Sequence, residues 1–435
     1  MSTAAATPVL NVQIPLRIAP DSVENRPEPL GDWRSRVEAP IRWPIHDGIT
    51  FLNHGSYGVV PLGVREERDR LRALMDADPV EWFNLHQERL ADEARRTVGR
   101  LINCAYEHVA LVPNATFAVA TLLHSVPLLA GDEVLVTDHE YDATMNELGR
   151  LSRQKGFSVV KAHVPFPIAG PEAVVEAIAE KITPRTKLIV LSHITSATAL
   201  IMPAKEIVKL GRERGIRVLV DGAHGPGQIP IDLADMQPDY YAASCHKWLC
   251  TPKGTGFFYA RPEYHHEIKT LALSCRVHRL RPDRKPFLCD FDYVGTNDTT
   301  GNLCIPFAVE HLGAQLPGGW DELMRRNHAM AVAARRVLCD RLGIEPPCPD
   351  SMLGMMATLP IPQTANWRDP RHPSHPHQGP YGDPLWNTLT AKHRIQVPVW
   401  AMDAVGARVL RISAHLHNSM DQYERLADAL AEEFA

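Results

Sequence analysis

From Val109 to Tyr259 short apolar runs alternate with longer amphipathic ones, and this alternation limits the folds open to the chain. Val109 to Val112, Glu133 to Thr137, Ser158 to Val160, Leu188 to Leu191 and Arg217 to Val220 read as strands. Thr116 to Leu123, Pro171 to Lys181 and Ala204 to Arg214 repeat apolar residues at helical spacing. Strands that alternate with helices of this length predict βαβ units and a mainly parallel sheet, an α/β fold. Tyr240 to Ala243 and Gly256 to Tyr259 add two strands, for seven in the expected sheet.

Either side of this region the pattern changes. Residues 1–48 are rich in Pro, Asp, Glu and Arg with little apolar periodicity, and read as an arm that orders only against the body or a partner subunit. Helical spacing begins after Pro61, through Val64, Leu71 and Met75, and again through Leu90, Ala94 and Val98. Past Asn302 come a long helix including Leu323 to Leu342, short strands near Met355 to Leu359 and Val409 to Ile412, and a last helix after Asn418. The expected organisation is an arm at 1–48, a large domain at 49–300 and a smaller C-terminal α+β domain at 301–435. A chain of 435 residues is long enough to give both domains a core.

Charge and cysteine usage narrow the function classes. With 46 basic and 51 acidic residues the net charge is −5, which offers no attraction for nucleic acid or an anionic membrane. A small molecule is the expected partner. The eight cysteines contain no Cys-x-x-Cys pair, so neither a zinc site nor a disulfide framework is expected, and reduced thiols fit the cytoplasm. The first residues lack a secretory pattern and no stretch has the length of a membrane span. Arg371 to Pro380 holds three histidines between prolines, which prevent a helix and define no ligand geometry; the stretch reads as a surface loop, with no metal expected.

The chemistry concentrates around one lysine. Ser244-Cys245-His246-Lys247 precedes a glycine turn and follows Asp221-Gly222-Ala223-His224, in which Asp221 ends an apolar run. A lysine that forms a Schiff base with pyridoxal phosphate needs an acid for the pyridine nitrogen and small polar donors for the phosphate, and both are present. Lys247 could otherwise be a surface lysine, and Asp221 a helix cap. Asn114-Ala115-Thr116 lies between a strand and a helix, where amide and hydroxyl donors with the helix dipole suit a phosphate, although Thr116 alone would also serve as a plain cap. Arg411 sits among Val409, Leu410 and Ile412, where an unpaired charge is costly; its fork suits a substrate carboxylate, or else an exposed edge.

In their order along the chain, Asn53-His54-Gly55-Ser56-Tyr57-Gly58, Asn114-Ala115-Thr116, Glu140-Tyr141-Asp142-Ala143, Asp221 to His224, Ser244 to Lys247, Gly295-Thr296-Asn297-Asp298 and Arg411-Ile412-Ser413 resemble the class V aminotransferase family. Within it they most resemble the isopenicillin N epimerase-like branch. The resemblance implies a fold type I pyridoxal-phosphate enzyme and a homodimer with shared active sites. Ser244 and His246 would join Ala115 and Thr116 at the phosphate, with Thr296 reaching it from the other subunit. Tyr141 would stack on the cofactor ring where cysteine desulfurases carry a histidine, with His139 as the alternative. His224 would approach the ring hydroxyl, or be a core histidine. Asn53 and His54 would lie near the substrate carboxylate beside Arg411. The reaction implied is epimerase-like chemistry at Cα of an amino acid or conjugate, with C–S lysis as the alternative. Cysteine desulfuration is disfavoured because Lys392 to Arg411 contains no cysteine, transamination has no supporting feature, and a non-enzymatic binding role is disfavoured by Lys247, Asp221 and Arg411 together.

Overall fold

In the computed structural model, residues 36–37, 40–276, 281–362, 383–402 and 407–435 are described. Most of the expected arm and the His/Pro stretch 371–380 lie outside them.

Seven strands form the main sheet: β2 (Val109–Val112), β3 (Glu133–Thr137), β4 (Ser158–Ala162), β5 (Thr186–Ser192), β6 (Arg217–Asp221), β7 (Tyr240–Ser244) and β8 (Gly256–Ala260). A short β1 (Thr50–Phe51) precedes them. Their order is β2-β8-β7-β6-β5-β3-β4, and only β8 runs antiparallel to its neighbours. Alternate residues go to opposite faces, as the period of two requires. Leu188, Val190, Leu219 and Ala242 join one apolar cluster, whereas Ile189, Leu191, Val220 and Ala243 join another. Because helices cover both faces, the strands read as unbroken apolar runs rather than alternating ones.

The C-terminal region carries a three-stranded antiparallel sheet ordered β11-β12-β9, from β9 (Met356–Ile361), β11 (Val399–Met402) and β12 (Ala407–Ser413). The helices Gly319–Leu342 and Met420–Phe434 pack together, and the first of them also packs on β9. Ser419 and Gln422 close a reciprocal capping box on the last helix, so its start is set locally. β1 pairs in parallel with β10 (Ile395–Gln396), so the chain meets the C-terminal sheet region at residues 50–51, before entering the main sheet. That pairing places the Asn53 to Gly58 turn beside β12.

The parallel arrangement determines where chemistry gathers. Ser192, Asp221 and Ser244 are the last residues of β5, β6 and β7, and Ser192 lies directly across from Asp221 in the ladder. Asn114 follows β2 and Glu140 follows β3 within three residues. All five therefore stand at one rim of the sheet, the carboxyl edge at which open α/β sheets bind ligands.

Candidate active site

At this rim a cavity of about 190 Å³ is lined by residues from every loop just described, among them Lys247, Asp221, His224, Tyr141, Thr116 and Ser244. The segment after β7 turns back through Cys250, whose φ of 52° is in the left-handed region, and so holds Lys247 beneath the cavity. Gly58 adopts φ +69, and a Cβ there would meet His246 O at 2.0 Å, so only glycine lets the 53–58 turn approach the lysine backbone.

Lys247 is buried. Its Nζ lies 2.9 Å from His224 Nε2, and His224 Nδ1 accepts the indole N–H of Trp248 at 3.3 Å. Burial, then the Arg411 charge, pushes the lysine amine down to about 7, against an opposing pull from Asp221. Burial and the Lys247 charge likewise hold His224 well below the usual imidazole range. An amine that sheds its proton close to neutral pH therefore faces a neutral imidazole. Asp221 is 4% exposed; Oδ1 accepts from Ala223 N at 3.0 Å and Oδ2 from the Thr144 hydroxyl at 3.4 Å. Burial raises its carboxyl, opposed by the Ala223 N–H, Lys247 and Thr144.

The other end of the cavity is a helix start. Asn114 Oδ1 caps Phe117 N at 2.9 Å on the helix Ala115–Ser125, and Ser244 Oγ accepts from Ala115 N at 3.1 Å. His246 donates from Nδ1 to Thr255 O at 3.2 Å, and burial brings its imidazole down to about 4. Tyr141 sits at the start of the next helix, 45% exposed in the single chain, and lines the cavity wall. His139 does not line it; its ring is turned away to Val164 O and Thr198 Oγ1.

Four expected residues lie elsewhere than the cavity surface. Arg411 stands one layer behind the wall, donating to Ser196 O at 2.6 Å and Ser56 Oγ at 2.9 Å, both from cavity-lining residues. Asn53 supports that layer, its Oδ1 accepting from Ser56 Oγ at 2.6 Å. His54 is fully buried beneath the lysine, donating from Nε2 to Lys247 O at 3.0 Å, and so braces the lysine backbone. Thr296 is exposed on its own chain, bonded to Tyr293 Oη at 2.6 Å, and is not among the cavity-lining residues.

Sequence reasoning did not single out Ser56, Tyr57, Ser192 or Ser196 as wall residues. Ser192 was accessible to the same argument as Asp221, since both end apolar strands. Glu140 was also missed. It accepts from Thr137 Oγ1, Ser192 N and Ser192 Oγ, and burial outweighs these bonds to bring its carboxyl up to about 7. His415 and His417 join His54 within 4.8 Å. The rings of His54 and His415, however, stack at 4.1 Å and 12°. Lone pairs in two such planes cannot both point at one ion, so this arrangement packs rather than chelates.

Comparison with known proteins bears on what such a cavity holds. The family model described as aminotransferase class-V matches residues 80–287. An isopenicillin N epimerase from Amycolatopsis lactamdurans is 32% identical over 89% of this chain and 96% of its own length. The chain belongs to the class V aminotransferase family. An L-cysteine desulfhydrase from Arabidopsis thaliana is 27% identical, with 88% of each chain covered. Among solved structures, a cystine C–S lyase superposes with a TM-score of 0.71 at 19% identity, over 89% of this chain and 98% of that one, which shows the shared fold.

This class V protein is a pyridoxal-phosphate-dependent enzyme. Its residues fit the cofactor on their own chemistry. A buried carboxyl raised by desolvation, Asp221, is suited to a protonated ring nitrogen, which would restore its charge. The N–H groups of Ala115, Phe117 and Ala118 are bonded to Ser244 Oγ, Asn114 Oδ1 and Asn114 O. Ala118 thus makes the first intrahelical bond, and among helix residues Ala115, Thr116 and Phe117 it is the N–H of cavity-lining Thr116 that has no such partner and would suit a phosphate. Lys247, its amine brought down to about 7, would be suited to attach the cofactor.

Proposed function

We propose that this enzyme acts at Cα of an amino acid or amino-acid conjugate and inverts it, in the manner of isopenicillin N epimerase. The observation that carries this reading is that Lys247, its amine brought down to about 7, lines the same cavity as Ser56 and Ser196, the wall residues that Arg411 holds from behind. Bound pyridoxal phosphate supplies an electron sink for negative charge at Cα. The rest falls to the protein. The Arg411 charge, one layer behind the wall that it holds through Ser56 and Ser196, favours a substrate carboxylate in the cavity. Lys247 Nζ, when free, takes the Cα proton. Inversion needs a second proton donor, and the phenols of Tyr141 and Tyr57 line the wall. Burial and the nearby Tyr57 hold the Tyr141 phenol above its ordinary range, so it carries its proton at neutral pH.

A second reading, C–S elimination, is favoured by the likeness to the Arabidopsis thaliana L-cysteine desulfhydrase. Among the described residues no cysteine lines the cavity, and 392–411 contains none, which supports neither a persulfide route nor a desulfurase. The remaining expectations enter here as proposals: a cytoplasmic homodimer in which Thr296 of one copy completes the other's phosphate site, with large and small domains at 49–300 and 301–435. The exposure of Thr296 supports the shared site, and eight free thiols support the compartment. No described helix is long and apolar enough to cross a membrane.

One experiment separates the two reactions. Incubation with amino acids and cysteine conjugates in deuterated water places deuterium at Cα by inversion, with the substrate otherwise intact and a D-isomer detected. Stoichiometric pyruvate and ammonia from a thioether, with no D-isomer, would overturn inversion in favour of elimination.

A further inference from the structure

We propose that Trp248 is a positioning residue: its indole N–H fixes His224 as the tautomer that bears hydrogen on Nε2, so that the imidazole donates to Lys247 Nζ. The inference deepens the reading of Lys247 as the cofactor-attaching lysine and rests on it.

The argument follows the hydrogens. An indole nitrogen only donates, so the 3.3 Å contact makes His224 Nδ1 an acceptor. A neutral imidazole with Nδ1 accepting carries its hydrogen on Nε2. That hydrogen points at Lys247 Nζ, 2.9 Å away, and only a neutral amine has a lone pair to receive it. The other tautomer would turn an acceptor toward Nζ and stabilise the ammonium form. A residue adjacent to the lysine in sequence therefore selects the protonation state of its amine through a third side chain.

The indole is held for this purpose from several sides. Trp248 is fully buried, tilted against His54 at 5.2 Å and near-parallel to His415 at 6.1 Å. Gln228 Nε2 donates to His224 O at 2.8 Å, and a Cβ at Gly227 would meet Trp248 backbone atoms at 2.9 Å, so the 224–228 turn is pressed against the lysine segment. The charged and titratable groups facing Lys247 are Arg411 from β12, Asp221 from β6 and His224; His246 acts on His224. Replacing the indole with a phenyl ring leaves Arg411, Asp221 and His246 as they are and removes only the donor to His224 Nδ1.

Two measurements on the cofactor-free protein test the proposal. In histidine-¹⁵N-labelled protein, the resonances lost in His224→Gln identify the His224 ring; the expected pattern is a protonated Nε2 and a bare Nδ1. A hydrogen on Nδ1 overturns the proposal, and this measurement needs no Trp248 variant to fold. In the second, the rate of pyridoxal phosphate attachment is followed against pH. Trp248→Phe should raise the midpoint by about one unit, with attachment at neutral pH slowed up to about tenfold. Glutamine at 224 donates from its amide without a tautomer, so His224→Gln and the His224→Gln/Trp248→Phe double variant should share one midpoint. An unchanged midpoint in folded Trp248→Phe, or an equal shift in both backgrounds, overturns the proposal. Failure of wild-type protein to attach the cofactor at Lys247 would instead refute the underlying functional reading, while the tautomer would still be read by resonance.

Discussion

Replacing Lys247 with methionine should change the stability of the cofactor-free protein with opposite signs at pH 7 and pH 10.5. The unfolded lysine titrates at its ordinary 10.5 and the folded one at about 7. Between those values the unfolded chain binds a proton that the native protein does not, so native stability rises with pH across this window. The penalty is fully present below pH 7 and is relieved as pH approaches 10.5. At about 1.4 kcal/mol per unit, it amounts to roughly 4 kcal/mol at pH 7 and is nearly gone at the upper end. Methionine removes that penalty. It also strips the acceptor from His224 Nε2–H, a loss of about 1–3 kcal/mol that does not depend on pH in this range. The variant should therefore be more stable than wild type at pH 7 by roughly 1–3 kcal/mol, and less stable at pH 10.5 by about the same amount. Urea unfolding of both apoproteins at the two pH values measures this directly. A stability difference independent of pH would show that the amine is not held neutral by burial, and the argument for Lys247 as a poised nucleophile would go with it.

Asp221→Asn should keep cofactor attachment to Lys247, read by borohydride fixation, but lower kcat by about 10³-fold, because an ion pair at 4 Å in an effective dielectric of 20 is worth about 4 kcal/mol; a loss under tenfold would argue against its partnering the ring nitrogen. Arg411→Lys keeps the charge but loses the fork to Ser56 and Ser196, and should raise KM by about 10- to 100-fold with a smaller change in kcat. A KM left unchanged would remove Arg411 from carboxylate recognition. Light scattering should give a dimer, and Thr296→Ala should retain cofactor less well by about tenfold without altering that state. A monomer with full cofactor occupancy would refute the shared site.

The sequence by itself determined the strand and helix order and the sheet's mainly parallel character, because local apolar period and chain crossover are properties of short segments. It also singled out Lys247, Asp221, the Asn114 cap and Ser244 as the residues proposed to carry the cofactor chemistry; Asp221 and Ser244 end strands, Asn114 starts a helix, and Lys247 follows three residues after β7. The His/Pro stretch 371–380 remains only a sequence reading. What only the tertiary structure decided is how residues distant in the chain share one environment. Asn53, Ser56 and Arg411 form one layer because β1 pairs with β10 and brings residue 53 beside β12, a contact spanning some 358 positions that no local pattern records. The same holds for His54, assigned from its motif to the substrate but placed by packing under the lysine backbone. Burial and long-range contact are likewise properties of the assembled fold, so the lowered amine of Lys247, the raised carboxyl of Glu140 and the hydrogen bond from Trp248 to His224 became legible only in the tertiary structure.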